Sequence, residues 1–118
     1  MRIEREAGGV VCERCALADR PLTRLRGLLG RRGLAAGEGL LLRPAPSIHT
    51  WFMRFSIDAV FLSHDLEVVA VRPGLAPWRV AAARGARAVL ELPAGEAARR
   101  KVTPGARLRV FGGGTNGG

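Results

Sequence analysis

The chain has 118 residues, of which 47% are hydrophobic, and this is enough for one domain with a single core. Its 19 basic and 10 acidic residues give a net charge of +9, and Lys101 is the one lysine among the basic residues. No apolar stretch reaches the ~20 residues of a membrane span, and no apolar run follows the charged N-terminus as it does in a signal peptide. We therefore expect a cytoplasmic protein with no membrane partner, and the sequence does not indicate its oligomeric state.

The basic charge is concentrated in residues 20–54 and residues 79–118, each of which sums to +6. A basic surface attracts polyanions through counterion release, so weak, non-specific binding of nucleic acid is one interpretation. The other is a coding bias toward arginine, alanine and glycine, which explains the same composition without any anionic partner. The charge alone does not choose between them.

The first predicted strand covers residues 10–18 and contains Cys12 and Cys15 as a C-x-x-C motif. Residues three apart on one strand point to opposite faces, whereas a redox pair belongs at the start of a helix. A zinc site needs four ligands, and the two histidines lack the paired spacing of zinc ligands. We interpret the cysteines as semi-buried thiols and expect neither a metal nor a cofactor.

A short helix is predicted next, because Asp19-Arg20-Pro21 is typical of a helix start. Its apolar face carries leucines at spacings of three and four, namely Leu22, Leu25, Leu28 and Leu29. Residues 38–42 then predict a short buried strand. Pro44 and Pro46 make the connection that follows a stiff loop.

The stretch Ser47–Ser63 is predicted to be one long central strand and holds four of the six aromatic residues. Period two assigns a core face to His49, Trp51, Met53, Phe55, Ile57, Ala59 and Phe61. The opposite face, polar at its start and apolar at its end, carries Thr50, Phe52, Arg54, Ser56, Asp58, Val60 and Leu62. The strand is therefore expected to leave a rim and enter the interior.

The rest of the chain predicts short elements with short connections. In order, they are a hairpin turn at His64-Asp65, a strand at 67–72, an irregular segment at 73–79, a loop at 81–86, a strand at 87–93, a helical turn at 95–101 and a strand at 107–111. Residues 1–111 then form one domain, and the glycine-rich tail 112–118 is expected to be disordered. We predict a mainly β, α+β domain with a curled, barrel-like antiparallel sheet and two short helices.

Candidate chemistry lies in Thr50, Arg54 and Asp58 on the central strand and in Glu91 on a later one. A buried Asp58 needs backbone donors or a basic partner. Two interpretations remain open: a structural anchor that ties the strand to a loop, or a cleft residue that binds a ligand. Asp58 and Glu91 as paired carboxylates would define a hydrolase, although no spacing rule links them.

Trp51 and Trp78 are candidates to frame a groove, in which Arg54 and Arg79 would suit a sugar ring or a base stacked on an aromatic face. The alternative is that Trp51 packs in the core. None of the common catalytic motifs appears. The sequence alone therefore does not decide whether the protein is an enzyme, and it favours a non-enzymatic role.

Several segments occur together in an order that resembles the bacterial and archaeal family called domain of unknown function 192 (DUF192). They are RLRGLLGRRGL (24–34), EGLLL (38–42), IHTWFMRFSIDAVFL (48–62), VVAV (68–71), PWR (77–79) and VLELPAG (89–95). The resemblance covers residues 20–111 and implies a compact β-rich domain with short helices and no established activity. Family members are often secreted or lipid-anchored, whereas the N-terminus of this chain leads us to expect no such leader.

The residues that fit the polar pattern of this family are Arg26, Thr50, Met53, Arg54, Asp58 and Glu91. Two positions depart from the pattern: Gly105-Ala106 stands where the family usually has Gly-Asp, and Leu29 stands where it has Met. Any role of that acid is therefore absent here.

We expect a small non-enzymatic binding domain with a groove for a small polar or anionic ligand. The expected ligand-binding residues are Arg26, Thr50, Arg54, Asp58, Trp78, Arg79 and Glu91. An accessory nucleic-acid binder and a carboxylate-dependent hydrolase are the two alternatives.

Overall fold

The computed structural model describes residues 1–19, 33–51 and 53–112, and in these ranges the chain forms ten strands and one short helix. The strands are β1 (Arg2–Arg5), β2 (Val10–Cys12), β3 (Arg14–Ala18), β4 (Glu38–Leu42), β5 (Ser47–His49), β6 (Ile57–Leu62), β7 (Val68–Leu75), β8 (Val80–Ala82), β9 (Ala88–Pro93) and β10 (Leu108–Phe111). The helix is α1 (Glu96–Arg99).

A five-stranded sheet in the order β3-β4-β9-β6-β7 forms the centre of the domain. All six residues of β6 are buried, and β9 is buried up to Leu92. Both strands have a hydrogen-bonded neighbour on each side and apolar side chains on both faces. This is the environment that a nearly continuous apolar sequence such as IDAVFL requires.

Two hydrophobic clusters lie on the two faces of this sheet. Alternate residues of β6 and β9 contribute to each, so that Val60 and Leu90 pack on one face while Phe61 and Val89 pack on the other. Along β9, Ala88, Leu90 and Leu92 pack in the first cluster and Val89 packs in the second.

Each face is covered by a smaller sheet. The three-stranded sheet β10-β1-β2 packs Ile3, Val11 and Leu108 into the first cluster, which also receives Ala97 from α1. The two-stranded ribbon β5-β8 packs Ile48 and Ala81 into the second cluster. The ribbon and the three-stranded sheet therefore bury the two faces of the central sheet separately.

The prediction of a compact, mainly β domain is confirmed, and so are the strand at 38–42, the hairpin between β6 and β7, and the helical turn within 95–101. The barrel is wrong: the described strands form three sheets and no closed barrel. The central sheet is also mixed, because β3 and β4 pair in parallel. The long stretch of chain between them, residues 19–37, permits this parallel crossover.

Two predicted strands are each interrupted. The strand at 10–18 breaks at Glu13 into β2 and β3, and the strand at 47–63 is divided into β5, which ends at His49, and β6, which begins at Ile57. Period two therefore does not continue from β5 into β6, and the predicted core face fails at His49 and Trp51, which are exposed.

Two segments predicted as irregular are partly strand. Pro73–Leu75 continue β7, which pairs with β6 alone and is therefore an edge strand that tolerates a proline. Val80–Ala82 form β8 rather than a loop.

The predicted first helix at residues 22–29 lies outside the described residues, as do residues 113–118 of the tail. Within the described ranges, no helix is long and apolar enough to span a membrane.

Candidate functional site

Asp58 on β6 is fully buried, and its carboxylate accepts hydrogen bonds from backbone donors only. Oδ1 accepts from the N–H of Gly74 at 2.8 Å, and Oδ2 accepts from the N–H groups of Gly95 at 3.0 Å and Ala97 at 2.9 Å. These bonds compensate for the loss of water around a buried charge. The contacts match the structural-anchor interpretation of Asp58.

The positions of these donors explain why an acid stands at residue 58. Gly74 lies in an irregularity of the β6–β7 pairing, where Ile57 pairs with Leu75 but Ala59 pairs with Arg72. Gly95 is the N-cap residue of α1 and has no side chain to cap the helix. Asp58 therefore provides the hydrogen-bond acceptor for the N–H of Gly74 in the bulge of the edge strand β7. It also provides the acceptor for the N–H groups of Gly95 and Ala97 at the start of the only described helix.

Glu91 on β9 is buried as well, but it has no hydrogen-bond or ion-pair partner among the described residues. Its in-register neighbours on the adjacent strands are Leu40 and Ala59, which are apolar. Burial among such residues raises the pKa of Glu91 from 4.5 to about 7. Glu91 therefore carries a proton for part of the time at neutral pH.

The two carboxylates do not form one site, although β6 and β9 are adjacent strands. Asp58 is in register with Leu92, and Glu91 is in register with Ala59. Directly paired residues share a face of the sheet, and consecutive residues alternate between faces. Asp58 and Glu91 consequently point to opposite faces, so the paired carboxylates of the hydrolase hypothesis are not brought together.

Thr50 is fully buried and fastens two chain segments that follow β5 and precede β8. Its N–H donates to the carbonyl of Arg79 at 2.8 Å, and its carbonyl accepts from the N–H of Trp78 at 3.0 Å. Its hydroxyl donates to the carbonyl of Ala76 at 2.6 Å and accepts from the N–H of Arg79 at 2.9 Å. The hydroxyl thus holds residues 76–79 against residue 50.

This fastening brings the backbone of Trp78 to Thr50, the neighbour of Trp51 in the chain. Trp51 is 46% exposed and Trp78 is 57% exposed, and Val80 at the start of β8 is 64% exposed. We call the exposed residues His49, Trp51, Trp78, Arg79 and Val80 the tryptophan surface. The rings of His49 and Trp51 contact each other, with centroids 5.0 Å apart and planes tilted by 37°.

Trp78 has a φ of 65°, in the left-handed region that side chains other than glycine rarely adopt. The hydrogen bonds between Thr50 and residues 76–79 hold the backbone in this conformation. Such strain persists where the surrounding structure imposes it, and it is frequent at functional sites.

The other predicted site residues do not all lie together. Arg54 is exposed in the bend between β5 and β6, and Arg79 is exposed beside Trp78. Arg26 lies outside the described residues. The structure thus brings together Thr50, Trp78 and Arg79, while Asp58 and Glu91 lie in the interior on opposite faces of the central sheet.

The buried Glu96 of α1 was not among the residues predicted from the sequence. Its carboxylate forms ion pairs with Arg99 and with Arg100, the latter at 3.1 Å, and accepts a hydrogen bond from the N–H of Gly37 at 3.0 Å. Arg100 also pairs with Glu13 at 2.8 Å. The spacing of three and four residues between Glu96 and the two arginines is the signal that indicates these pairs.

Cys12 and Cys15 lie in the same hydrophobic cluster, so the prediction of opposite faces is wrong. The break at Glu13 turns the chain between them. A hydrogen bond between the two thiols lowers the pKa of Cys12 and, with burial, raises the pKa of Cys15. In the described part of the chain, no three His, Cys, Asp or Glu side chains come together as metal ligands.

Comparison with known proteins agrees with the resemblance in the sequence. The DUF192 family, described as "Uncharacterized ACR", matches residues 3–110, and the chain therefore belongs to this family. A UPF0127 protein of the archaeon Thermococcus sibiricus is 34% identical over 100 residues. That match covers 80% of this chain and 64% of the archaeal protein, so this chain spans less than two thirds of its relative's length.

Two crystal structures share the fold. A protein of unknown function from Novosphingobium aromaticivorans is 25% identical with a TM-score of 0.80, and the match covers 92% of this chain and 82% of that one. A proposed transcription regulator from Sinorhizobium meliloti is 27% identical with a TM-score of 0.78, and the match covers 92% and 89% of the two chains.

Proposed function

We propose that the protein is a small non-enzymatic binding domain that binds a polar or anionic small molecule at the tryptophan surface. A sugar is the ligand class that suits this surface best. Sugar rings stack on aromatic faces through their apolar side, while their hydroxyl groups take hydrogen bonds from neighbouring charged residues.

The observation that carries this proposal is the exposure of two tryptophans on a region that the fold holds in place. Tryptophan buries a large apolar area when it is covered, so two of them at 46% and 57% exposure leave an apolar surface in contact with water. Contiguous exposed apolar surface is typical of binding sites. Because Thr50 fixes residues 76–79, a ligand would lose little free energy in ordering them.

Charge for a polar ligand comes from Arg79 within the surface and from Arg54 four residues after Thr50. Asp58 does not contact the ligand, because its carboxylate oxygens already accept backbone hydrogen bonds inside the domain. Its role in this proposal is to stabilise the fold. Glu91 likewise has no direct part, since it is buried in the centre of the sheet.

An amide NMR titration of the domain with a pool of small sugars tests the proposal. We expect saturable shifts confined to residues 49–54 and 76–80. Trp78→Ala should weaken binding about tenfold or more, since one stacked aromatic contributes about 1–3 kcal/mol. Phe111→Ala is the matched control, because Phe111 is a comparably exposed aromatic on β10 at 44% exposure.

Equal weakening by Trp78→Ala and Phe111→Ala would contradict the proposal, because it would show that exposed aromatic area anywhere on the domain serves equally well. Shifts that avoid residues 49–54 and 76–80 altogether would contradict it too.

A second candidate function is nucleic-acid binding. Two observations favour it: the net charge of +9, and the description of the structural neighbour from Sinorhizobium meliloti as a proposed transcription regulator. This function predicts that affinity for a short single-stranded RNA falls steeply as salt rises, since counterion release drives such binding. Salt-insensitive binding, or no binding at low salt, would rule it out.

A further inference from the structure

A shallow basic cleft of about 430 Å³, wide open to solvent, lies between two segments from opposite ends of the chain. One wall is the turn between β1 and β2 with the residues beside it, Arg5 to Val10. The other wall follows α1 and consists of Arg99, Arg100 and Lys101. Glu13 completes the lining, and none of these residues belongs to the tryptophan surface.

Arg100 joins the two walls and makes the cleft a fixed structure. Its side chain is only 17% exposed, and its guanidinium pairs with Glu13 at 2.8 Å and with Glu96 at 3.1 Å. It also donates to the carbonyl of Val10 at 3.1 Å. These contacts join Arg100 to Glu13 and Val10 on one wall and to Glu96 on the other. They hold the two walls at a fixed distance without a ligand.

Arg5 and Lys101 supply charge that the described residues do not neutralise. Neither forms an ion pair with any described residue. The Nε of Arg5 is buried without a hydrogen-bond partner among them, which leaves a donor of a charged group unsatisfied. The side chain of Arg5 lies against Gly9, where an added Cβ would come within 2.8 Å of Nη2. Gly9 therefore makes room for the guanidinium at the edge of the cleft.

Lys101 has a φ of 60°, at the position after α1 where glycine or asparagine is usual. A lysine in this conformation is less favourable than a glycine, and such residues persist where the surrounding structure imposes the conformation. The four cations of the cleft exceed its acids, Glu13 and the underlying Glu96, by two charges. This excess matches the charge of a phosphate dianion.

We propose that this cleft binds the phosphate group of a small molecule, with Arg5 and Lys101 as its ligands and Arg100 as a fixed positive charge behind them. Arginine suits phosphate through its planar set of donors, and lysine adds a point charge. This site is separate from the tryptophan surface and does not depend on the function proposed for that surface.

Titration of the full chain with inorganic phosphate and with ribose 5-phosphate, followed by amide NMR at constant ionic strength in sodium chloride, tests the proposal. We expect saturable shifts at Arg5, Gly9 and Lys101. Tighter binding of the sugar phosphate would identify a phosphorylated metabolite as the ligand class, and tighter binding of inorganic phosphate would identify the free anion.

Lys101→Gln and Arg5→Gln should each raise the Kd for phosphate about tenfold, as expected for loss of one charge-assisted hydrogen bond. Arg84→Gln is the matched control, because Arg84 is an exposed arginine in the turn between β8 and β9. It removes the same charge and should leave the Kd unchanged. Trp78→Ala should leave it unchanged too, which separates this site from the tryptophan surface.

The proposal is overturned if the shifts do not saturate, or if Arg84→Gln weakens binding as much as Lys101→Gln does. Either result would show that the net charge of the protein, and not the cleft, attracts phosphate. Lys101 is exposed, so its substitution should leave the thermal unfolding temperature unchanged and the comparison valid.

Discussion

Asp58 and Glu91 are both buried carboxylates on the two central strands of the same sheet, but they lie on opposite faces whose surroundings differ. The face of Asp58 supplies three backbone N–H donors from β7 and the start of α1. The face of Glu91 supplies leucine and alanine at the neighbouring register positions. One acid is fully hydrogen-bonded, and the other has a pKa raised to about 7.

The difference shows that burial alone does not define the role of a polar residue. A buried carboxylate with backbone donors is part of the framework, because its removal leaves those donors unsatisfied. A buried carboxylate without partners costs stability whenever it is charged. The two acids should therefore respond oppositely to removal of their charge.

The largest effect is expected for Asp58→Ala, which leaves the N–H groups of Gly74, Gly95 and Ala97 without their acceptor. We expect a loss of at least about 3 kcal/mol in the free energy of unfolding, since each of the three unsatisfied buried donors costs about 1–3 kcal/mol. Chemical denaturation measures this loss.

Asp65→Ala is the control for this substitution, because Asp65 is an exposed aspartate in the hairpin turn. It should change the free energy of unfolding by less than about 0.5 kcal/mol. If Asp58→Ala were as stable as the Asp65 variant, the anchoring role of Asp58 would be wrong.

The second effect concerns the pH dependence of stability through Glu91. Its pKa is about 7 in the folded protein and 4.5 as the ordinary value. Because the folded value is the higher one, its contribution to stability is fully present below pH 4.5 and is lost as the pH rises through 7. Glu91→Gln cannot ionise and should be more stable than the wild type at pH 8 by about 3 kcal/mol.

The same variant should gain nothing at pH 4, where Glu91 of the wild type is protonated as well. Denaturation curves at the two pH values measure the difference. Glu67→Gln, which alters a half-exposed carboxylate paired with Arg107 at 3.6 Å, is the control and should not be more stable than the wild type at pH 8. A Glu91→Gln variant that loses stability at pH 8 would show that the charge of Glu91 is compensated.

The smallest effect is expected for Thr50→Val, which keeps the shape of the side chain and removes its hydroxyl. The carbonyl of Ala76 and the N–H of Arg79 lose a partner, so the free energy of unfolding should fall by about 1–2 kcal/mol. Amide exchange should accelerate at Trp78 and Arg79 more than at Gly74 or Ala97. Uniform acceleration would contradict a local role for Thr50.

The sequence indicated the strand at 87–93 and the part of the central strand that forms β6, because runs such as VLEL and IDAVFL carry strong local patterns. It could not indicate the break between β5 and β6. That break depends on hydrogen bonds from Thr50 to residues 76–79, which are distant in sequence. The predicted core position of Trp51 was wrong for the same reason.

The candidate site was predicted only in part. An acid inside an apolar strand needs hydrogen-bond donors or a basic partner. Backbone donors were therefore one of the two kinds of partner predicted for Asp58, and they are the ones that the structure shows. The partners themselves come from the bulge at Gly74 and the cap at Gly95, and no local pattern near residue 58 specifies either. The separation of Asp58 from Glu91 depends on the register of β6 and β9. Asp58 pairs with Leu92, so Glu91, one residue before Leu92, lies on the other face.

The most direct test of this contrast is a titration of the Glu91 side-chain carboxyl carbon by NMR in the folded wild-type protein. A partnerless carboxylate buried between Leu40 and Ala59 should titrate with a midpoint of about 7. A midpoint near 4.5 would contradict this interpretation, because it would show that the protein stabilises the charged form of Glu91 as well as water does.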